Sequence, residues 1–288
     1  MDWGSLTRAE RDAAYNNTGA VPDSATYHAA RRAASDAFRA KHDRALDLPY
    51  GARERNRLDL FPGDDPAAPC LVFIHGGYWQ MNSKEGFASV AAGVAAHGWS
   101  AALPGYSLAP DASLTDIVAE IRQALDWLEQ HGPEFGVTGP LIVSGWSAGG
   151  HLAAMALDHR AVAGGLGISG IYELGPLRDT YLDAKLRLSD AEIAALSPLR
   201  LPVVPKPFLL AYGTAELPAL IANSRELHAR RSAAHAPGPL LPLAGRHHFS
   251  ILAALEEPAG ELTRQVLLLD PRPPAVPARE RPIREHAA

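Results

Sequence analysis

The sequence predicts an α/β protein with one mostly parallel, doubly wound sheet, and three observations carry that expectation. Short apolar runs of strand length alternate with longer helix-like segments over most of the chain. The run Cys70-Leu71-Val72-Phe73-Ile74 is apolar at every position, as a strand covered on both faces requires. Gly145-Trp146-Ser147-Ala148-Gly149 joins an apolar run at 141–144 directly to an alanine-rich helical pattern at 152–157. That stretch reads as a strand, a sharp turn and a helix, with one serine at the apex.

In chain order, residues 1–44 read as an N-terminal helical extension of the same domain. Residues 5–45 are rich in alanine and arginine, Gly19 and Pro22 interrupt them, and Asp23 or Ser24 stands where a cap would start a helix reaching about Lys41. The α/β domain proper is expected over residues 45–270. Two short extended segments, 45–48 and 57–61, flank Tyr50-Gly51-Ala52 and predict a hairpin at a sheet edge. A loop at 62–69 leads to the buried strand 70–74, and His75-Gly76-Gly77-Tyr78-Trp79-Gln80 follows at once.

Helix is expected over 85–97, strand over 100–103, and a further helix after Ser113-x-x-Asp116, which has the form of a capping box. Leu114, Ile117, Val118, Ile121, Leu125 and Leu128 make its apolar face. Strands are expected at 163–168, 207–212 and 239–243, with helices over 219–234 and most of 250–269. Residues 171–205, interrupted by four prolines, read as an irregular, partly helical excursion. The Pro-rich, charged stretch 271–288 predicts a disordered tail.

Composition narrows the function. A net charge of −5 gives no basic footprint for nucleic acid. Cys70 is the only cysteine and lies in an apolar run, so it reads as a buried core thiol in a reducing compartment. Residues 1–5 lack the blocks of a signal peptide, and no apolar run approaches the roughly 18 residues of a membrane span. A cytoplasmic protein without a membrane partner is the expectation. No clustered metal ligands, H-E-x-x-H, G-x-G-x-x-G or P-loop pattern is present, so neither metal nor cofactor is expected.

Serine is a weak nucleophile and needs a base within reach and an acid to orient that base. In a doubly wound sheet such groups gather at the carboxyl ends of strands. After Ser147, strand 208–212 is followed by Gly213-Thr214-Ala215-Glu216, and strand 240–243 by Ala244-Gly245-Arg246-His247-His248-Phe249. Serine, acid, histidine is a known chain order for the triad. Glu173 is the second candidate acid, while Glu226 falls inside a predicted helix.

Gly76 and Gly77 let backbone amides approach a substrate oxygen, and with Tyr78 and Ala148 they form a candidate oxyanion hole. Tyr78, Trp79, Trp146 and Phe249 flank the site in sequence; they are candidates to line a flat apolar pocket, core packing being the alternative. His75 sits behind the glycine loop and reads as structural, His151 as a packing or hydrogen-bonding residue. His28 and His159 are read with the remaining histidines as solvated.

Taken together, these motifs resemble the α/β-hydrolase superfamily, near its hormone-sensitive-lipase-like branch. His75-Gly76-Gly77-Tyr78-Trp79-Gln80 is similar to the HGGxW signature of arylformamidases (kynurenine formamidases). Tyr15-Asn16-Asn17, Ser169-Gly170-Ile171-Tyr172-Glu173-Leu174-x-Pro176-Leu177, Leu196-Ser197-Pro198-Leu199 and Gly245-x-x-His248-Phe249 match as well. Related esterases share part of this pattern.

The resemblance implies an α/β-hydrolase fold with Ser147 as nucleophile and His248, rather than His247, as base. Glu216 stands where the family usually carries aspartate, a departure that requires a shifted backbone. The implied activity is removal of a formyl group from an arylamine such as N-formyl-L-kynurenine. The expected partner is that small molecule, and the chain is expected as a monomer or homodimer. A carboxylesterase or amidase for small acyl groups is the alternative within the fold. A non-catalytic ligand-binding scaffold is the alternative outside it, and retention of both serine and histidine argues against it.

Overall fold

The computed structural model describes residues 3–272. From residue 273 onward, the segment expected as a tail lies outside the described residues. A short turn at Trp3–Ser5 leads into α1 (Arg8–Ala14), α2 (Asn17–Ala20) and α3 (Ser24–Lys41). Then come β1 (Leu48–Pro49), β2 (Arg57–Phe61), β3 (Cys70–Ile74), α4 (Ala91–Ala95) and β4 (Ser100–Pro104). The middle of the chain forms α5 (Leu114–His131), β5 (Leu141–Trp146), α6 (Ala148–Met155) and β6 (Val162–Ile168). The last part holds α7 (Asp183–Leu186), α8 (Asp190–Leu196), β7 (Phe208–Gly213), α9 (Pro218–Ala233), β8 (Leu240–Leu243), α10 (Ala253–Glu256) and α11 (Glu261–Leu267).

The eight strands form one sheet in the order β1-β2-β4-β3-β5-β6-β7-β8. β1 and β2 are antiparallel to each other, β2 is antiparallel to β4, and every pairing from β4 to β8 is parallel. The chain moves outward from β3 to β4, then crosses back over β3 to lay down β5. The direction of winding therefore reverses between β3 and β5, the place at which open α/β sheets gather functional groups outside the carboxyl ends of their strands.

Side chains of β3 alternate between two cores. Cys70, Val72 and Ile74 join the face covered by α5 and α6, while Leu71 and Phe73 join the face covered by α4, α10 and α11. Every residue of β3, β4 and β5 is buried, as a sheet covered on both sides demands. The capping box at Ser113 and Asp116 forms as expected and starts α5. Burial pushes the Cys70 thiol up to about 12, the behaviour of an inert core residue.

Three elements differ from the sequence reading. The helix expected over 85–97 is a tight turn, Lys84–Val90, followed by the short α4. Gly86 and Gly93 weaken it, and the Ser89 amide bonds the Ser35 hydroxyl at 3.1 Å, which draws the turn against α3. The helix expected over 250–269 is broken between α10 and α11 at Pro258-Ala259-Gly260. The first hairpin strand begins at Leu48, not at 45; Ala45 contributes only its carbonyl, to the Leu60 amide at 2.8 Å.

Candidate active site

Ser147 lies between β5 and α6 with φ 58° and ψ −121°, the sharp turn that lifts a side chain away from both elements. This conformation costs on the order of 1–3 kcal/mol, and the surroundings hold it. Its amide bonds the Ile168 carbonyl at 2.8 Å, tying the turn to β6. A Cβ at Gly149 would sit 1.9 Å from the Ile74 carbonyl oxygen, so only glycine lets α6 approach β3 this closely.

The glycine loop meets this elbow directly. A Cβ on Gly76 would fall 2.5 Å from the Trp146 carbonyl oxygen and 2.9 Å from the Ser147 Cβ. Gly77 (φ 121°), Tyr78 (φ 51°) and Trp79 (φ 57°) are left-handed in succession, and the amides of Gln80 and Met81 close onto the Gly77 carbonyl. Two of these three are not glycine, so tertiary contacts must hold the curl. Tyr78 is tied through its hydroxyl, which accepts from Asn17 Nδ2 at 2.9 Å and donates to the Tyr15 carbonyl. Trp79 is fully buried, edge-on to His151 at 5.0 Å. Among the described residues, no protein acceptor takes the amides of Gly77, Tyr78 or Ala148. These three amides, on the glycine loop and at the elbow, are the candidates to receive an oxyanion.

Glu216 and His248 come together at the ends of β7 and β8. Glu216 Oε2 lies 3.3 Å from His248 Nδ1, while Oε1 accepts from the Gly213 amide at 2.7 Å and the Ser169 hydroxyl at 2.6 Å. One oxygen is thus anchored and the other serves the imidazole; both side chains are buried. The extra methylene of glutamate is accommodated because Gly213 and Ser169 grip its inner oxygen. His248 is held from behind by Trp146, whose Nε1 donates to the His248 carbonyl at 2.8 Å and whose ring lies 4.7 Å from the imidazole. An imidazole with Nδ1 committed to a carboxylate keeps Nε2 for proton transfer.

The other candidates separate clearly. Glu173 is engaged by Arg200, at 2.7 Å, and by the Gly175 amide, so it does not serve His248. Glu226 is exposed on α9. His247 accepts from the amides of Phe249 and Ser250 and packs against Tyr27. His75 stacks on Tyr106 at 4.3 Å and His151 bonds the Leu196 carbonyl at 2.7 Å; burial pulls both imidazoles down to about 4, which makes them neutral packing groups. Trp79, Trp146 and Phe249 are almost entirely buried and brace the loops, while the exposed apolar side chains beside the glycine loop are Met81 and Tyr181.

His28 and His159 depart from the solvated reading: His28 lies edge-on to Phe249, and His159 is buried with Asp126 at 3.1 Å. No motif in the sequence marks Ser169 as a partner of Glu216; its place directly after β6 is the available signal. Among the described residues, no cluster of His, Cys, Asp and Glu could hold a metal, and no helix is long and apolar enough to cross a membrane.

A strained serine elbow, free amides on an adjoining glycine loop and a buried carboxylate–imidazole pair define a hydrolase of the α/β-hydrolase fold. Similarity to known proteins agrees. The BD-FAE family model matches residues 58–162. The kynurenine formamidase of Danio rerio is 26% identical over 92% of this chain and 97% of its own length. Esterase LipQ of Mycobacterium tuberculosis is 32% identical over 38% of this chain and 28% of its own. The crystal structure of a provisionally named thioesterase from a Silicibacter species superimposes with a TM-score of 0.78 at 28% identity, covering 88% of this chain and 98% of that one. The chain is an α/β-hydrolase of the arylformamidase- and esterase-like kind.

Proposed function

We propose that the chain removes the N-formyl group of an arylamine, with N-formyl-L-kynurenine as the substrate its relatives suggest, by covalent catalysis at Ser147. His248 Nε2 takes the hydroxyl proton as Ser147 Oγ attacks the formyl carbon, and Glu216 steadies the imidazolium through Nδ1. The amides of Gly77, Tyr78 and Ala148 receive the developing oxyanion. His248 then passes its proton to the departing aniline nitrogen as the C–N bond breaks, leaving a formyl ester on Ser147. A water molecule, deprotonated by His248, attacks that ester; formate leaves and Ser147 regains its proton.

The observation that carries this reading is the buried Glu216–His248 pair, 3.3 Å apart at two strand ends beside the elbow. Similarity to a kynurenine formamidase along nearly the whole chain supports the formyl substrate. The purified protein is to be assayed for formate release from N-formylkynurenine beside acetyl and butyryl anilides and short aryl esters. Preferential formate release supports the proposal. Ester turnover without formate release would overturn the substrate and favour a small-acyl carboxylesterase, the reading to which the similarity with esterases points.

A further inference from the structure

We propose that the N-terminal helices are working parts of the active site: α3 positions the histidine loop, and the segment at 15–17 positions the oxyanion loop. The inference rests on the Ser147–His248 reading above. The buried residues of α3 are Ser24, Arg31 and Ser35, all polar, where a helix that merely covers a core presents leucine or isoleucine. Arg31 is only 6% exposed, and its guanidinium spans two acceptors. Nη2 donates to the Phe249 carbonyl at 2.8 Å, and Nε to Glu256 Oε1 at 3.0 Å. The Ser89 hydroxyl holds the same glutamate oxygen at 3.0 Å.

The fork of Arg31 therefore fixes both ends of the segment that follows His248 directly. One turn earlier, the His28 ring meets Phe249 at 5.0 Å and the Tyr27 ring meets His247 at 4.7 Å. With Trp146 holding the His248 carbonyl from the sheet side, residues 247–249 are clamped between the core and α3. Across the site, Asn17 and the Tyr15 carbonyl hold the hydroxyl of Tyr78, whose backbone is left-handed and supplies a candidate oxyanion donor. One continuous stretch, residues 15–31, thus ties the oxyanion loop to the base loop. Arginine suits this work because a planar fork reaches two acceptors in fixed directions, which an ammonium does not.

The test reads the rate at which a fluorophosphonate labels Ser147, which does not depend on knowing the substrate, together with kcat, KM and the thermal midpoint. Arg31→Ala and Asn17→Ala are each expected to slow labelling and lower kcat on the order of 10- to 100-fold, the scale of a small misplacement of reacting groups, with KM little changed. Arg31→Lys is expected to recover only a minor part, and added methylguanidinium to restore part of the Arg31→Ala loss. Arg32→Ala, on an exposed pair with Asp36, is expected to leave the labelling rate unchanged. If Arg31→Ala does not fold, Glu256→Gln and Arg31→Lys carry the test at lower cost to the structure. Folded Arg31 and Asn17 variants that label at the wild-type rate would overturn the proposal, as would losses matching the unfolded fraction alone. A well-folded wild-type protein that resists labelling would instead remove the serine reading on which the proposal stands.

Discussion

Glu216 divides its two oxygens between different tasks, and substitution separates them. Glu216→Ala is expected to reduce kcat by about 10⁴-fold, the scale seen when a triad acid is removed. Glu173→Ala is expected to stay near wild type, because its carboxylate serves Arg200 and Gly175. Steady-state assays of the two variants decide the matter, and the reverse ranking would transfer the role to Glu173. His75 offers a second measurement. Its imidazole is held near 4 by burial, whereas in the unfolded chain it takes a proton near pH 6.5. Its contribution to stability is therefore complete above pH 6.5 and is lost as pH falls toward 4. The urea midpoint of the wild type is expected to fall more steeply across that window than that of His75→Gln; parallel slopes would refute the assignment. At this scale the serine elbow and a histidine pair after a strand were legible as candidates, because both are local patterns. Ser169 and Arg31 were not, because their roles exist only relative to Glu216 and Phe249.

Among the elements, α3 is fastened at its other end as well. Asp59 on β2 is fully buried and receives Lys84 Nζ at 2.7 Å and Arg39 Nε at 2.9 Å, so the helix, the edge hairpin and the turn before α4 meet at one carboxylate. Burial pushes the neighbouring Glu85 carboxyl up, but hydrogen bonds from Lys84 and Ser83 outweigh it and bring the group to about 2. Removing one partner of a buried ion pair strands the other charge, a loss of about 3–5 kcal/mol. Asp59→Asn is expected to approach that loss in urea unfolding, and a loss under about 1 kcal/mol would show that Asp47 and Glu85 suffice for Lys84. Sequence pattern located α5 and the central strands well, since their apolar spacing is strong. It misjudged 84–95, where glycines and packing on α3 decide the local winding, and within the mostly helical 250–269 it missed the break at Pro258-Ala259-Gly260.

At the level of the whole molecule, the winding reversal between β3 and β5 brings together loops far apart in sequence. The glycine loop follows β3, the elbow follows β5, and Glu216 and His248 follow β7 and β8. Helices α1 to α3 bind to the loop after β8 through Arg31, to the loop after β3 through Asn17, and to the segment between β6 and β7 through Asp12 on the Tyr181 amide at 2.7 Å. Helices α1 to α3 and these loops are therefore expected to unfold as one unit. Tryptophan fluorescence, circular dichroism and fluorophosphonate labelling should share one urea midpoint. Labelling lost well before the other two signals would show that the helices detach on their own.

By itself the sequence determined the alternation of strands and helices, the elbow at Ser147 and the glycine loop at 76–77. All of these follow from periodicity, from backbone freedom at glycine or from a motif a few residues long. Only the tertiary structure brought Glu216 rather than Glu173 to His248, placed Trp79 and Trp146 as buried braces, and gave α3 its grip on the histidine loop. Those outcomes depend on contacts between residues tens to hundreds of positions apart, and no local pattern encodes which of several acids, rings or arginines will arrive at the same point in space.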